Sequence, residues 1–319
     1  MRLKLPAPMV DATKRHQESL GPMGRRSFVI GSTTAIAAGA AGLLFSHCQR
    51  MDHHHEERPE DRESRRHELQ NMIKRAKYFR ENLTAWWEKH REHLLVSAPQ
   101  IYGIECVDEG DDLDIFLHAE DHPLPKNFDV ISVPGSGVTY PGFAADLRTL
   151  VGTQNIMGVT SHKDCGACDG NDDLARSHSR RLAEELRVPY LGHVETLQRP
   201  DYHVALGSNL RYTKKVKNIR FSEDAPRYFD ATQWCLSDRA TRVANVRLML
   251  NIVYHHGFNE LFIEEKIPFE LVVWYDPHDT SHTKDSAADE IQEAFRQADL
   301  PEELRSTKGL LKLTFMEVC

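Results

Sequence analysis

Residues 128–165 read FDVISVPGSGVTYPGFAADLRTLVGTQNIMGVTSHKDC, and this stretch decides the fold. Phe128-Asp129-Val130-Ile131-Ser132-Val133 and Asn155-Ile156-Met157-Gly158-Val159-Thr160 are short apolar and β-branched runs bounded by turn residues, the pattern of buried strands. Between them Phe143 to Leu150 fits one helix, with Gly and Pro around it as punctuation. Strand, crossover helix and strand imply a parallel sheet, because a parallel neighbour is reached only by carrying the chain back across one face.

Working outward, Ile101-Tyr102-Gly103-Ile104-Glu105-Cys106 is a third strand of the same kind. Downstream the spacing predicts a helix at Ser177 to Leu186, a strand at Pro189 to Val194 and another around His203 to Gly207. Asn209 to Asp230 is basic, then polar, and reads as a loop; Ala231 to His256 reads as a long helix. Pro268 to Tyr275 reads as a last apolar strand, and Ala287 to Ala298 as a surface helix. Leu69 to Leu95 carries Met72, Ala76, Phe79, Leu83, Trp86 and Trp87 at helical spacing, so one or two amphipathic helices should pack on the main body. The expected fold is α/β, a mainly parallel sheet flanked by helices, and no internal repeat is legible.

Composition narrows the class. The 319 residues are 40% hydrophobic and 28% charged, with 6 Cys, which excludes a disordered chain, a polytopic membrane protein and a disulfide-built miniature fold. Residues 1–50 carry seven Lys or Arg against two Asp or Glu, leaving 33 against 46 for the rest. A basic nucleic-acid binder is not expected, and the basic segment Arg211 to Arg220 reads as a solvated loop.

The positive end has the order of an export signal: Gly24-Arg25-Arg26-Ser27-Phe28, the uncharged run Phe28 to Phe45, then Ser46-His47-Cys48. Paired arginines before an Ala/Gly-rich stretch resemble the twin-arginine type, which implies the twin-arginine machinery as partner, an extracytoplasmic or periplasmic destination and no membrane span after processing. Against it stands a single N-terminal anchor, since 18 uncharged residues approach the length that spans a bilayer. Lipidation at Cys48 is a third reading, disfavoured by the bulky His47. Residues 1–48 are thus the signal, 49–68 a charged linker with His53-His54-His55, and 69–319 the α/β domain.

The residues that carry chemistry sit at strand ends. Cys106 closes the first strand, and His162-Lys163-Asp164-Cys165 follows the third, so in a parallel sheet both open on one crevice. Two thiolates and an imidazole suit tetrahedral Zn2+, and three protein ligands leave the fourth position for water, substrate or another side chain. Gly135-Ser136-Gly137 after the second strand can present backbone N–H groups to an anion and forms the expected wall of a substrate pocket.

These motifs resemble those of the β-class carbonic anhydrases, which have Cys-x-Asp-x-Arg, Arg-Asn-Ala-Gly and His-x-x-Cys-Gly after three successive core strands. Here the counterparts are Cys106-Val107-Asp108-Glu109-Gly110, Pro134-Gly135-Ser136-Gly137 and His162-Lys163-Asp164-Cys165-Gly166, and the agreement covers Ile101 to about Gly170. The resemblance implies zinc on Cys106, His162 and Cys165, with carbon dioxide and bicarbonate as substrate pair and a zinc-bound hydroxide as nucleophile. It implies a catalytic role for Asp108, orienting that hydroxide, or a place for Asp108 as fourth zinc ligand in a closed site. It also implies a homodimer or larger assembly, built through the N-terminal helices and a sheet edge. The family's motif arginine is replaced by Gly110; Arg148 and Arg211 are the candidates to supply its charge. Without such a charge Asp108 is free to close the site, and the chain would then be a non-catalytic zinc-binding protein.

Cys165-Gly166-Ala167-Cys168 also forms a C-x-x-C, but no thioredoxin-like context surrounds it, so Cys168 reads as a buried residue or a spare thiol beside Cys165. Cys235 and Cys319 have no partner motif. His193, His203, His255 and His256 are eligible proton carriers only in the sense that any of 18 His is. Glu264-Glu265 reads as a solvated edge.

Overall fold

The computed structural model describes residues 59–107, 124–137, 140–194, 206–219, 228–253, 267–300 and 311–318. All of them belong to one compact unit, Leu44–Cys319. The signal at 1–48, the triple histidine, Asp108, Gly110, His203, His255, His256, Glu264, Glu265 and Cys319 lie outside the described residues. No described helix is long and apolar enough to cross a membrane.

The chain begins with helices α1 (Pro59–Glu81) and α2 (Leu83–Leu94). Then come strands β1 (Ile101–Glu105) and β2 (Phe128–Ser132), helix α3 (Phe143–Leu150), β3 (Ile156–His162), α4 (Asp172–Leu186) and β4 (Tyr190–Val194). A second series follows: β5 (Gly207–Arg211), β6 (Phe229–Thr232), α5 (Arg239–Val253), β7 (Phe269–Tyr275), α6 (Lys284–Gln297) and β8 (Leu311–Glu317). Every strand pairs in parallel, in two four-stranded sheets of order β2-β1-β3-β4 and β6-β5-β7-β8. The α/β architecture is the expected one.

Both sheets have the same strand order, so the fold repeats although the sequence does not. The registers place the halves against each other residue by residue. In the first sheet Ile104 pairs Ile131 and Val159; in the second Leu210 pairs Ala231 and Val273. Leu210 is therefore the counterpart of Ile104, and Arg211 of Glu105. The turns agree: Val133 N–H donates to Glu105 O (3.1 Å) as Gln233 N–H does to Arg211 O (2.9 Å). Ser136 N–H likewise donates to Val133 O (2.9 Å) as Leu236 N–H does to Gln233 O (3.0 Å).

The sheets meet along β2 and β6, where Ser132 N–H donates to Thr232 Oγ1 (3.1 Å). Arg211, fully buried, bridges this seam. Its guanidinium donates to Asp230 Oδ2 (2.9 Å), Asp129 Oδ2 (3.0 Å), Thr232 Oγ1 (2.9 Å) and the Val130 carbonyl. Arg211 to Ile219 is thus not a solvated loop: Tyr212, Val216, Asn218 and Ile219 are buried too, and Val216 bridges to Leu95 at the end of α2.

The loop expected from Asn209 to Asp230 is corrected by strands β5 and β6, and the long helix begins at Arg239, eight residues later than expected. β5 escapes a hydropathy reading because its polar side chains are satisfied inside: Asn209 Oδ1 accepts from Trp274 Nε1 (3.0 Å) and Ser208 Oγ donates to Phe229 O (3.1 Å). β7 is not the last strand either, since β8 pairs along its whole length.

The N-terminal helices pack on the second half. Ala76, Phe79, Leu83, Trp86 and Trp87 are buried, as their spacing predicts. Trp86 and Trp87 lie 6.5 and 5.1 Å from the Trp274 ring of β7, and Phe79 5.6 Å from Tyr228. Arg80 Nη1 meets Glu270 Oε1 at 2.6 Å.

Candidate metal centre

Cys106 follows the last residue of β1, His162 ends β3, and Cys165 comes three residues later. Their ligand atoms lie within 4.8 Å of one another, and the residues are 1%, 2% and 1% exposed. β1 and β3 are neighbours in the sheet although β2 lies between them in sequence. That reversal opens a crevice at the carboxyl ends of the strands, the usual ligand site of open α/β sheets.

Local chain geometry brings the three together. Asp164, at φ 54°, turns the chain, and its N–H donates to Asp172 Oδ1 (2.9 Å) at the start of α4. Cys168 N–H and Gly170 N–H both donate to Cys165 O, at 2.9 and 3.0 Å, tightening a short 3-10 turn at Gly166–Cys168. His162 and Cys165 are thereby presented from one turn to Cys106.

Above Cys106 the chain winds through left-handed geometry at Gly135 (φ 58°), Ser136 (φ 56°) and Gly137 (φ 81°). Ser136 is held there by its Oγ, which donates to Thr160 O (2.9 Å). Gly137 is required: a Cβ would stand 2.0 Å from Cε1 of Phe143. The turn directs the Gly135 N–H onto Cys106 Sγ at 3.1 Å, a bond that stabilises a thiolate and orients it. Of the expected substrate wall, then, Gly135 serves the sulfur, Ser136 is buried, and Gly137 lines a cavity of about 220 Å³ with Tyr140, Phe143, His178 and Arg181. None of the three cluster residues lines that cavity.

Hydrogen bonds with Cys106 and Cys168, then burial, push the Cys165 thiol well above its ordinary range, while the bond from Cys165 draws the Cys168 thiol down. Binding of a metal ion there would require the cysteines to give up their protons, because the thiolate is the ligand form. The donor set, two sulfurs and one imidazole nitrogen around one point, fits zinc or another borderline-soft ion.

The other sequence candidates are placed elsewhere. Arg148 donates to the Glu185 carbonyl and Arg211 is committed to the sheet seam. His193 Nδ1 bonds Ser161 Oγ (2.8 Å), and because consecutive strand residues face opposite ways, it lies across the sheet from His162. Cys235 is buried, and burial raises its thiol. Sequence reasoning missed the Gly135 bond to Cys106; the glycines marked the turn, but the direction of one N–H is set by φ.

No family model matches the chain, and no curated protein or solved structure matches it. Fold and site together define an α/β protein of two parallel sheets with a buried Cys-His-Cys cluster that can hold a metal ion.

Proposed function

We propose that the protein is an exported zinc enzyme of β-carbonic-anhydrase type that reversibly hydrates carbon dioxide. The observation that carries the reading is the convergence of Cys106, His162 and Cys165 at the β1/β3 crevice. Zinc, when bound, supplies the Lewis acidity that lets water act as a nucleophile near neutral pH. The chain holds the ion through the three side chains, fixes Cys106 by the Gly135 N–H, and shields the cluster from bulk water by burial. Asp108 is the proposed group for orienting the attacking water. Export rests on Arg25-Arg26 and the uncharged run that follows.

One observation favours a second reading, a closed zinc-binding protein without turnover. Arg148 and Arg211 both have other partners among the described residues, which favours a site lacking a replacement for the motif arginine. Asp108, or the Cys168 sulfur hydrogen-bonded to Cys165, would then complete the coordination.

Stopped-flow hydration of carbon dioxide from about pH 6.5 to 9, with zinc determined on the same sample, separates the two. Activity rising with pH at about one zinc per chain supports the enzyme; full zinc without activity leaves the closed site.

A further inference from the structure

The repeat of the fold assigns a second crevice. Carrying the register equivalence past the strand ends, the counterparts of Cys106, His162 and Cys165 are Tyr212, Asp276 and Asp279. The soft donors are gone and an internal cation is present. Lys215 Nζ lies 2.6 Å from Asp276 Oδ2, and Asp279 accepts from Ser281 N–H (2.7 Å) and pairs with His282 Nδ1 (3.2 Å).

At the carboxyl ends of β5 and β6, lined by Lys214 but by none of Tyr212, Asp276 and Asp279, lies a cavity of about 430 Å³. Lys214, Lys215 and Trp234 line it from the second half, Gln100, Tyr102 and Leu150 from the first. Trp234 is 6% exposed and Gln100 4%, and among the described residues neither the Trp234 Nε1–H nor the Gln100 Oε1 has a hydrogen-bond partner. Buried polar atoms are rarely left unsatisfied, and each calls for an explanation. Lys214 has no ion-pair partner among the described residues, whereas Lys215 is already spent on Asp276. A buried indole donor, an uncommitted ammonium, a carbonyl acceptor and the apolar walls of Tyr102 and Leu150 complement one kind of ligand.

We propose that this cavity, beside β5 and β6, is a metal-independent binding site for a small organic anion, a carboxylate with a flat apolar body. Lys214 and the Trp234 N–H receive the carboxylate, Tyr102 and Leu150 the body, and Gln100 Oε1 accepts from a donor on the ligand. The site does not rest on zinc at the first crevice.

The probe is 4-hydroxybenzoate, titrated calorimetrically into the zinc-loaded full chain at low salt, with inorganic phosphate as comparison. Saturable one-to-one binding is expected, weakened about tenfold in Lys214→Met and in Trp234→Phe, since each loses one charge-assisted hydrogen bond. Cys106→Ser is expected to lose metal yet keep the binding. Phosphate, without an apolar body, is expected to bind at least about tenfold more weakly. Absence of saturable binding, affinity unchanged from the parent chain in both Lys214→Met and Trp234→Phe, or binding lost with the metal in Cys106→Ser overturns the assignment. Phosphate binding as tightly overturns the organic body. Lys214 is exposed, so its variant reports on the ligand and not on folding.

Discussion

Replacing Arg211 with Met tests whether the seam between the sheets is held by a buried ion network. The guanidinium is fully buried and binds Asp129 and Asp230 at 3.0 and 2.9 Å, each carboxylate almost wholly out of water. Methionine roughly conserves the volume but leaves both acids without their cation. Asp129 keeps the N–H groups of Val130 and Asn218, both at 2.9 Å on Oδ1, so the loss is nearer that of one broken buried pair than two. That is about 3–5 kcal/mol. For a domain of this size the melting temperature should fall by roughly 10 °C. An unpaired buried carboxylate takes up a proton more readily, so the gap between variant and parent should narrow as the pH is lowered from about 8 to 5. Arg211→Met combined with Asp230→Leu should recover part of the loss, because the unpaired charge leaves with the acid. The assay is thermal unfolding by circular dichroism across that pH range. A drop under about 2 °C, equivalent to less than about 1 kcal/mol, refutes the network as a determinant of the fold.

At the cluster, Cys106→Ser should abolish stoichiometric zinc and Cys168→Ser should retain it, read by elemental analysis; full zinc in Cys106→Ser sinks the coordination, and its loss in Cys168→Ser moves Cys168 into the ligand set. Gly137→Ala forces a Cβ to 2.0 Å from Phe143 at φ 81° and should cost about 2–4 kcal/mol in urea unfolding; an unchanged midpoint removes the steric argument. Burial first, then the field of Asp129, push the Tyr102 phenol up to about 12. Its stabilising contribution is therefore full below the ordinary phenol pKa of 10.0 and is lost as the pH climbs through about 12. An ultraviolet difference titration of the parent against Tyr102→Phe should show that late phenol, and a midpoint near 10 would contradict the burial argument.

How much of this was legible follows from what each segment does with its side chains. β1, β2, β3 and β7 could be read because burial on two faces demands an apolar run, and the first-half crossover helix was bounded by Gly and Pro. β5, Gly207-Ser208-Asn209-Leu210-Arg211, is just as buried, but the groups that satisfy its polar atoms come from Trp274, Phe229, Asp129 and Asp230, up to 82 residues away. β6, Phe229–Thr232, was divided between the expected loop and the expected helix because four residues carry too little periodicity to stand out. β8 is only half-buried over most of its length and lacks an apolar run.

The metal-type cluster was available from the sequence alone, because ion chemistry restricts the donors to a few residue types and a turn restricts their spacing. His162 and Cys165 lie three apart at the end of one apolar run, and Cys106 ends another. The second crevice had no such signal: Tyr212, Asp276 and Asp279 share no residue type with the cluster they correspond to. Their equivalence lies in strand order and register, which are settled by pairing between segments far apart in the chain. Local pattern fixes which residues can be buried or can bind an ion; only the closed sheets determine which of them stand in the same place.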